Sequence, residues 1–278
     1  MQEQKNRETK KKYKVGVAFS GGGARGFAHA GALKALEEAG IRPDIVAGVS
    51  AGSVVAVMYA AGIRPDDMLK IFQHTGFTQM VGFQLGGGGM FSIDKFAAKI
   101  LNAIAPAKNI EDLAIPVRIS ATDLDSAETF VFDSGPIGPR LRASCSIPII
   151  FKPVKIDGHY YVDGGVLQNL PARVIRDECE TLIGINVSPM GAFRNRESVL
   201  EVALRTYNLM AKANQRDDMD VCDLVVEMRE ISHYKVFNLK EIEKVFLAGY
   251  VNMRHALHQS GLVKRDAPNQ SASSQTTQ

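Results

Sequence analysis

Asp44-Ile45-Val46-Ala47-Gly48-Val49-Ser50-Ala51-Gly52 is an apolar, β-branched run that ends in the GxSxG form of a nucleophile elbow. In such an elbow a serine stands at the tip of a strand-to-helix turn so tight that only glycine fits two residues to either side. The turn lifts the hydroxyl out of the sheet and aims it at the first amides of the next helix, whose partial positive charge favours an oxyanion. Ser50 is therefore the candidate nucleophile, with Gly48 and Gly52 shaping its turn, and hydrolysis is the chemistry it points to.

Toward the amino end, Lys14 to Phe19 (KVGVAF) reads as a short buried strand. Ser20 to Gly26 (SGGGARG) follows as a glycine-rich turn that opens an Ala/Leu/Glu helix ending at Ala39. After the stop at Gly40, residues 44–49 form the second strand, and Ala51 to Ala61 a helix stopped by Gly62. Two βα units place two helix N-termini side by side at the carboxyl edge of a parallel sheet, where open α/β sheets bind ligands. Gly21, Gly22 and Gly23 free their amides to cradle an anion, which suits an oxyanion hole. Gly21, Gly23 and Gly26 also satisfy GxGxxG, so a dinucleotide site is a second reading. That reading needs a ribose-binding acid near the end of the second strand, and Asp44 stands at its beginning.

A nucleophilic serine needs a base, ordinarily a histidine. His29 lies within the first helix, His74 follows the third, and His233, His255 and His258 belong to the last fifty residues. His159 stands just ahead of a more suggestive group, Tyr160-Tyr161-Val162-Asp163-Gly164-Gly165. A strand ending in Asp-Gly-Gly sets a carboxylate at a sheet edge, with Gly164 and Gly165 letting neighbouring backbone come close. Asp163 is the candidate base.

Three elements now stand in order: Gly21 to Gly26 (GGGARG), Gly48 to Gly52 (GVSAG) and Asp163 to Gly165 (DGG). With Ala143-Ser144-Cys145-Ser146-Ile147-Pro148 before the DGG strand and Asn169-Leu170-Pro171 after it, the chain resembles the patatin-like phospholipase family over roughly residues 14–190. The resemblance implies a Ser50–Asp163 dyad without histidine. It also implies an oxyanion loop of Gly21, Gly22, Gly23, Ala24, Arg25 and Gly26, a lipid ester substrate such as a phospholipid or lysophospholipid, and no cofactor. One departure is Ser20, where plant members commonly carry aspartate. A free aspartate, with a pKa of about 3.9, is a weak base at neutral pH, so burial is expected to raise Asp163 beside Ser50. Arg25 is expected to orient the loop, through an ion pair, more than to meet a lipid phosphate. Two rivals stay open: an α/β-hydrolase triad with His255 or His233 as base, and a lipid- or nucleotide-binding module without turnover.

With 278 residues, 45% hydrophobic and 23% charged, the chain can build one large core. Strands around 14–20, 44–49, 116–123, 128–133, 160–163 and 181–187 alternate with helical segments, which predicts a three-layer α/β/α sandwich with a mainly parallel sheet over residues 14–263. Helical periodicity at 197–215 and 239–258, with a strand at 224–228 between them, is expected to complete it. A basic tail (1–13) and a polar tail (264–278) are expected to lie outside the domain. Cys145, Cys179 and Cys222 are odd in number and lack CxxC spacing, so they read as reduced, partly buried thiols. No metal site is indicated; His255 and His258 share a helix face without an acidic or thiol partner. Residues 45–63 carry no charge and approach the length of a membrane span, but the elbow splits them into a strand and a helix. The N-terminus lacks an apolar signal region, and a cytoplasmic location is expected. Lipid contact is expected to be peripheral, through the basic tail or through a Gly/Phe/Met-rich lid at residues 77–91. The net charge of +3 decides nothing about partners, and no nucleic-acid partner is expected.

Overall fold

A twisted eight-stranded sheet forms the middle of the molecule, its strands side by side in the order Leu224–Glu227, Cys179–Asn186, Tyr13–Phe19, Ile45–Val49, Val117–Asp123, His159–Asp163 and Val154–Ile156, with Glu128–Phe132 on the other edge of Val117–Asp123. The computed structural model describes residues 11–73, 75, 76, 79, 81–83, 89–191 and 198–262. In chain order the elements begin with β1 (Tyr13–Phe19), α1 (Phe27–Glu38), β2 (Ile45–Val49), α2 (Ala51–Ala60) and α3 (Pro65–Phe72). Two short strands, β3 (Gly82–Phe83) and β4 (Gly89–Ser92), lead into α4 (Asp94–Ala103), β5 (Val117–Asp123) and β6 (Glu128–Phe132). Next come α5 (Ile137–Cys145), β7 (Ile149–Phe151), β8 (Val154–Ile156) and β9 (His159–Asp163). The chain continues through α6 (Arg173–Arg176), β10 (Cys179–Asn186), α7 (Val199–Ala213), α8 (Arg216–Asp220), β11 (Leu224–Glu227) and α9 (Ile242–Ser260).

The five strands β11, β10, β1, β2 and β5 are parallel, while β6, β8 and β9 run antiparallel to their neighbours. Side chains alternate across the strands, so each face carries its own core. Val17, Phe19 and Val46 join Leu33, Leu36, Val57 and Met58 of α1 and α2 in the larger one. Ala18, Ile45 and Ala47 on the reverse face pack with Leu170, Ile175 and Leu182 in the smaller. The result is the three-layer α/β/α sandwich read from the alternation of the sequence. The uncharged stretch at 45–63 divides at Ser50 into β2 and α2, both almost wholly buried, and no helix among the described residues is long and apolar enough to cross a membrane.

Asp44 takes the N–H groups of Lys14 and Val15 at 3.0 and 2.9 Å. It thus staples the amino end of β2 to β1, opposite the edge where a ribose would lie. Most of the basic tail (1–10) and the whole polar tail (264–278) lie outside the described residues, as do Phe77, Met80 and residues 84–88 of the segment read as a lid. Of that segment, Val81 is buried, and β4 pairs with β7 through Gly89 opposite Ile149 and Phe91 opposite Phe151.

Candidate active site

Ser50 and Asp163 are 113 positions apart in sequence, and β5 brings them together. Val49 pairs with Ser120, and Asp163 with Ala121. Residues 119–123 pair with β6 as well, so β6 occupies one edge of β5 and both β2 and β9 share the other. Since β2 is parallel to β5 and β9 antiparallel, their carboxyl ends meet head-on at adjacent positions of one strand.

At that meeting point Ser50 adopts φ 52°, ψ −126°, a strained backbone that persists only where its surroundings impose it. A Cβ on Gly48 would lie 2.4 Å from the Gly52 carbonyl oxygen, and one on Gly52 would lie 2.3 Å from that of Phe19, so the helix start presses directly on the strand ends. Two hydroxyls, those of Ser144 and Ser53, hold the turn through three hydrogen bonds. The Ser50 N–H donates to Ser144 Oγ at 2.9 Å, Ser144 donates to the Ser120 carbonyl at 2.7 Å, and Ser53 donates to the Ser50 carbonyl at 2.7 Å.

Asp163 ends β9 with no exposed surface, and its N–H donates to the Ser146 carbonyl at 2.9 Å. Its Oδ1 accepts two hydrogen bonds of 2.9 Å, from the Gly165 N–H and the Tyr207 hydroxyl. Its Oδ2 is buried without a partner among the described residues. Burial pushes the Asp163 carboxyl up to about 6, against the opposing pull of the Ser50 hydroxyl, the Gly165 amide and Tyr207. Ser50 is thus near enough to act on the carboxyl, yet no closed hydrogen bond joins the pair in the resting geometry. Such contacts commonly tighten only around substrate.

The glycine loop stands over Ser50. A Cβ on Gly21 would lie 3.3 Å from the Ser50 Cβ. Gly21 donates to the Asn169 carbonyl and Ala24 to that of Val236, whereas the amides of Gly22 and Gly23 find no acceptor among the described residues. Ser20 does structural work here: its hydroxyl donates to the Gly21 carbonyl and accepts the Val187 N–H at 2.9 Å. Arg25 orients the loop, and among the described residues it does so without an ion pair. Its guanidinium reaches three backbone carbonyls, those of Tyr234, Pro189 and Ser232, at 2.9, 3.1 and 3.0 Å, because its fork of donors matches carbonyls converging from two segments. An apolar cavity opens beside Ser50 under the loop, walled by Val54, Met58, Phe72, Phe96, Phe151 and Leu239.

The described histidines take other roles. His29 is wholly buried and held near pKa 4 by burial; its Nε2 donates to the Ser20 carbonyl at 2.8 Å. His233 and His255 are exposed, stacked on Tyr234 and beside Gln259 respectively, and neither bonds Asp163. His258 is exposed too. Cys145, Cys179 and Cys222 are free thiols, the first two buried. Asp123, Asp125 and His159 bring ligand-type atoms within 4.8 Å of one another. Asp123 is occupied there by the amides of Asp125 and Ser126 and by His159 Nδ1, which close the turn after β5.

Sequence reading did not single out Tyr207, whose helix carries no motif, and it quoted Ser144 and Asn169 only as flanks. For Ser144, a small hydroxyl at the end of the helix that precedes the strands leading to DGG is the one available signal.

A parallel sheet with a strained elbow serine facing a buried aspartate beneath a glycine loop defines a class of α/β protein distinct from those with a histidine between the two. The chain belongs to the patatin-like phospholipase family, whose family model matches residues 17–175. It is 32% identical over 190 residues to an uncharacterized NTE family protein of Mycobacterium tuberculosis, covering 66% of this chain and 52% of that one. It is 35% identical over 173 residues to a patatin-like phospholipase domain-containing protein of Caenorhabditis elegans, covering 59% of this chain and 13% of that one. The chain thus spans about half the length of the mycobacterial relative. Among solved structures, VipD from Legionella pneumophila shares the fold, with a TM-score of 0.59 at 16% identity over 90% of this chain and 67% of that one.

Proposed function

We propose that the chain is a serine acyl hydrolase that cleaves carboxylic esters of lipids with Ser50 as nucleophile and Asp163 as base. The observation that carries this reading is the end-on meeting of β2 and β9, which sets the buried Asp163 carboxyl, its Oδ2 without a partner among the described residues, near the elbow serine. Oδ2 takes the Ser50 proton as Oγ attacks the acyl carbonyl. The Gly22 and Gly23 amides are placed to receive the tetrahedral oxyanion, and the helix start behind Ser50 adds its positive end. Collapse of the intermediate breaks the ester bond, and the proton on Asp163 passes to the leaving alcohol. Water, deprotonated by the same carboxylate, then releases the fatty acid and restores Ser50. The apolar cavity fits an acyl chain, which supports phospholipids or lysophospholipids as the substrate class, as the family resemblance implies.

A fluorophosphonate probe tests the nucleophile. Covalent labelling is expected on Ser50 and is expected to vanish in Ser50→Ala; labelling elsewhere, or saturable NAD binding without labelling, would rule the reading out. The pH dependence tests the base. With Asp163 at about 6, the deprotonated form dominates above that pH, so kcat/KM is expected to be flat near neutrality and to fall about tenfold per unit below pH 6. An acid limb near pH 4, the range of an ordinary carboxylate, would mean that burial does not tune the base.

A further inference from the structure

Asp163 presents its two oxygens unequally, and the cause is a residue outside every motif. Oδ1 is saturated by the Gly165 N–H and the Tyr207 hydroxyl, both at 2.9 Å, whereas Oδ2 is buried with no partner among the described residues, on a carboxyl that the Ser50 hydroxyl also acts on. Tyr207 reaches the carboxylate from the inner side of α7, and room for it is reserved: a Cβ on Gly165 would lie 2.2 Å from the Tyr207 oxygen. We propose that Tyr207 is a positioning residue, which locks the Asp163 carboxylate so that Oδ2 alone is free to take the Ser50 proton. This inference rests on the dyad reading above.

Among the described residues, the titratable groups that bear on Asp163 are the Tyr207 phenol and the Cys145 thiol. Burial and the nearby carboxyl raise both, so each stays neutral, and Tyr207 serves only as a donor. A donor to the charged form favours that form. Loss of the hydroxyl therefore makes Asp163 easier to protonate and frees its carboxylate to rotate.

The test compares kcat/KM against pH for the full chain and for Tyr207→Phe, using a p-nitrophenyl acyl ester, with thermal melts alongside. The acid limb of Tyr207→Phe is expected to move up by about one pH unit, with the neutral plateau lowered about tenfold. Site-specific 3-fluorotyrosine at position 207, a stronger donor of the same shape, is expected to move the limb the opposite way. A merely structural role would lower the melting temperature and leave the limb in place. Limbs that coincide in all three proteins overturn the inference while leaving the dyad intact. If Asp163→Asn itself keeps most of the wild-type rate, the dyad reading fails instead.

Discussion

Asp163→Asn is expected to lower kcat/KM by about 10³-fold while the melting temperature holds or rises. The amide has the shape of the carboxyl, so its oxygen still accepts from Gly165 and Tyr207, but its nitrogen cannot take the Ser50 proton. Stability moves the other way because the carboxylate is a burden on the fold. The native pKa of about 6 lies above the ordinary 3.8, so the native state binds more protons than the unfolded chain between those values. The penalty is absent below pH 4, grows as pH rises through 6, and above that reaches on the order of 3 kcal/mol. Asparagine removes the charge but places a donor where Oδ2 had no partner, so it recovers only part of that figure. Melts of both proteins at pH 4, 5 and 7 check the account: the gap in favour of the variant should widen with pH. A gap that stays constant would show that burial does not raise the Asp163 carboxyl, and a variant within tenfold of wild-type kcat/KM would show that Asp163 is not the base.

How much of this was legible in the sequence follows from how local each determinant is. The elbow at Gly48 to Gly52 and the DGG turn were legible because a tight turn restricts residue type within a few positions. The core strands were legible because burial on both faces demands continuous apolar runs. The contact of Ser50 with Asp163 was not, except through the family resemblance, since it depends on which edge of β5 two distant strands share. Tyr207 was hidden for the same reason: it lies 44 residues beyond Asp163 on a helix whose inward side looks like ordinary packing. The carbonyls that Arg25 grips lie 164 to 209 residues away, and carbonyls have no sequence signature, so an ion pair was the natural expectation. Strands of three residues such as β7 and β8 are too short for alternation to show.

Gly52→Ala is expected to destabilise the fold by about 3 kcal/mol or more and to abolish probe labelling of whatever folded protein remains. One added methyl would sit 2.3 Å from the Phe19 carbonyl oxygen and 2.7 Å from that of Ser20, both backbone atoms at the carboxyl end of β1 that cannot swing aside as a side chain would. Relief requires α2 to back away from the sheet. Its first turn carries the strained Ser50 and the Ser53 hydroxyl bound to the Ser50 carbonyl, so the serine would withdraw from Asp163 and from the Gly22 and Gly23 amides together. Gly62→Ala supplies the control, because Gly62 has φ +86° with nothing within 4 Å of the added carbon. There only the left-handed backbone opposes a side chain, at a cost of about 1–2 kcal/mol, and labelling of Ser50 should be untouched. Chemical denaturation and probe kinetics on the two variants separate the effects. If Gly52→Ala unfolds like Gly62→Ala and labels at the wild-type rate, the close approach of helix to strand end does not set the nucleophile, and the strain at Ser50 must be held by the serine hydrogen bonds alone.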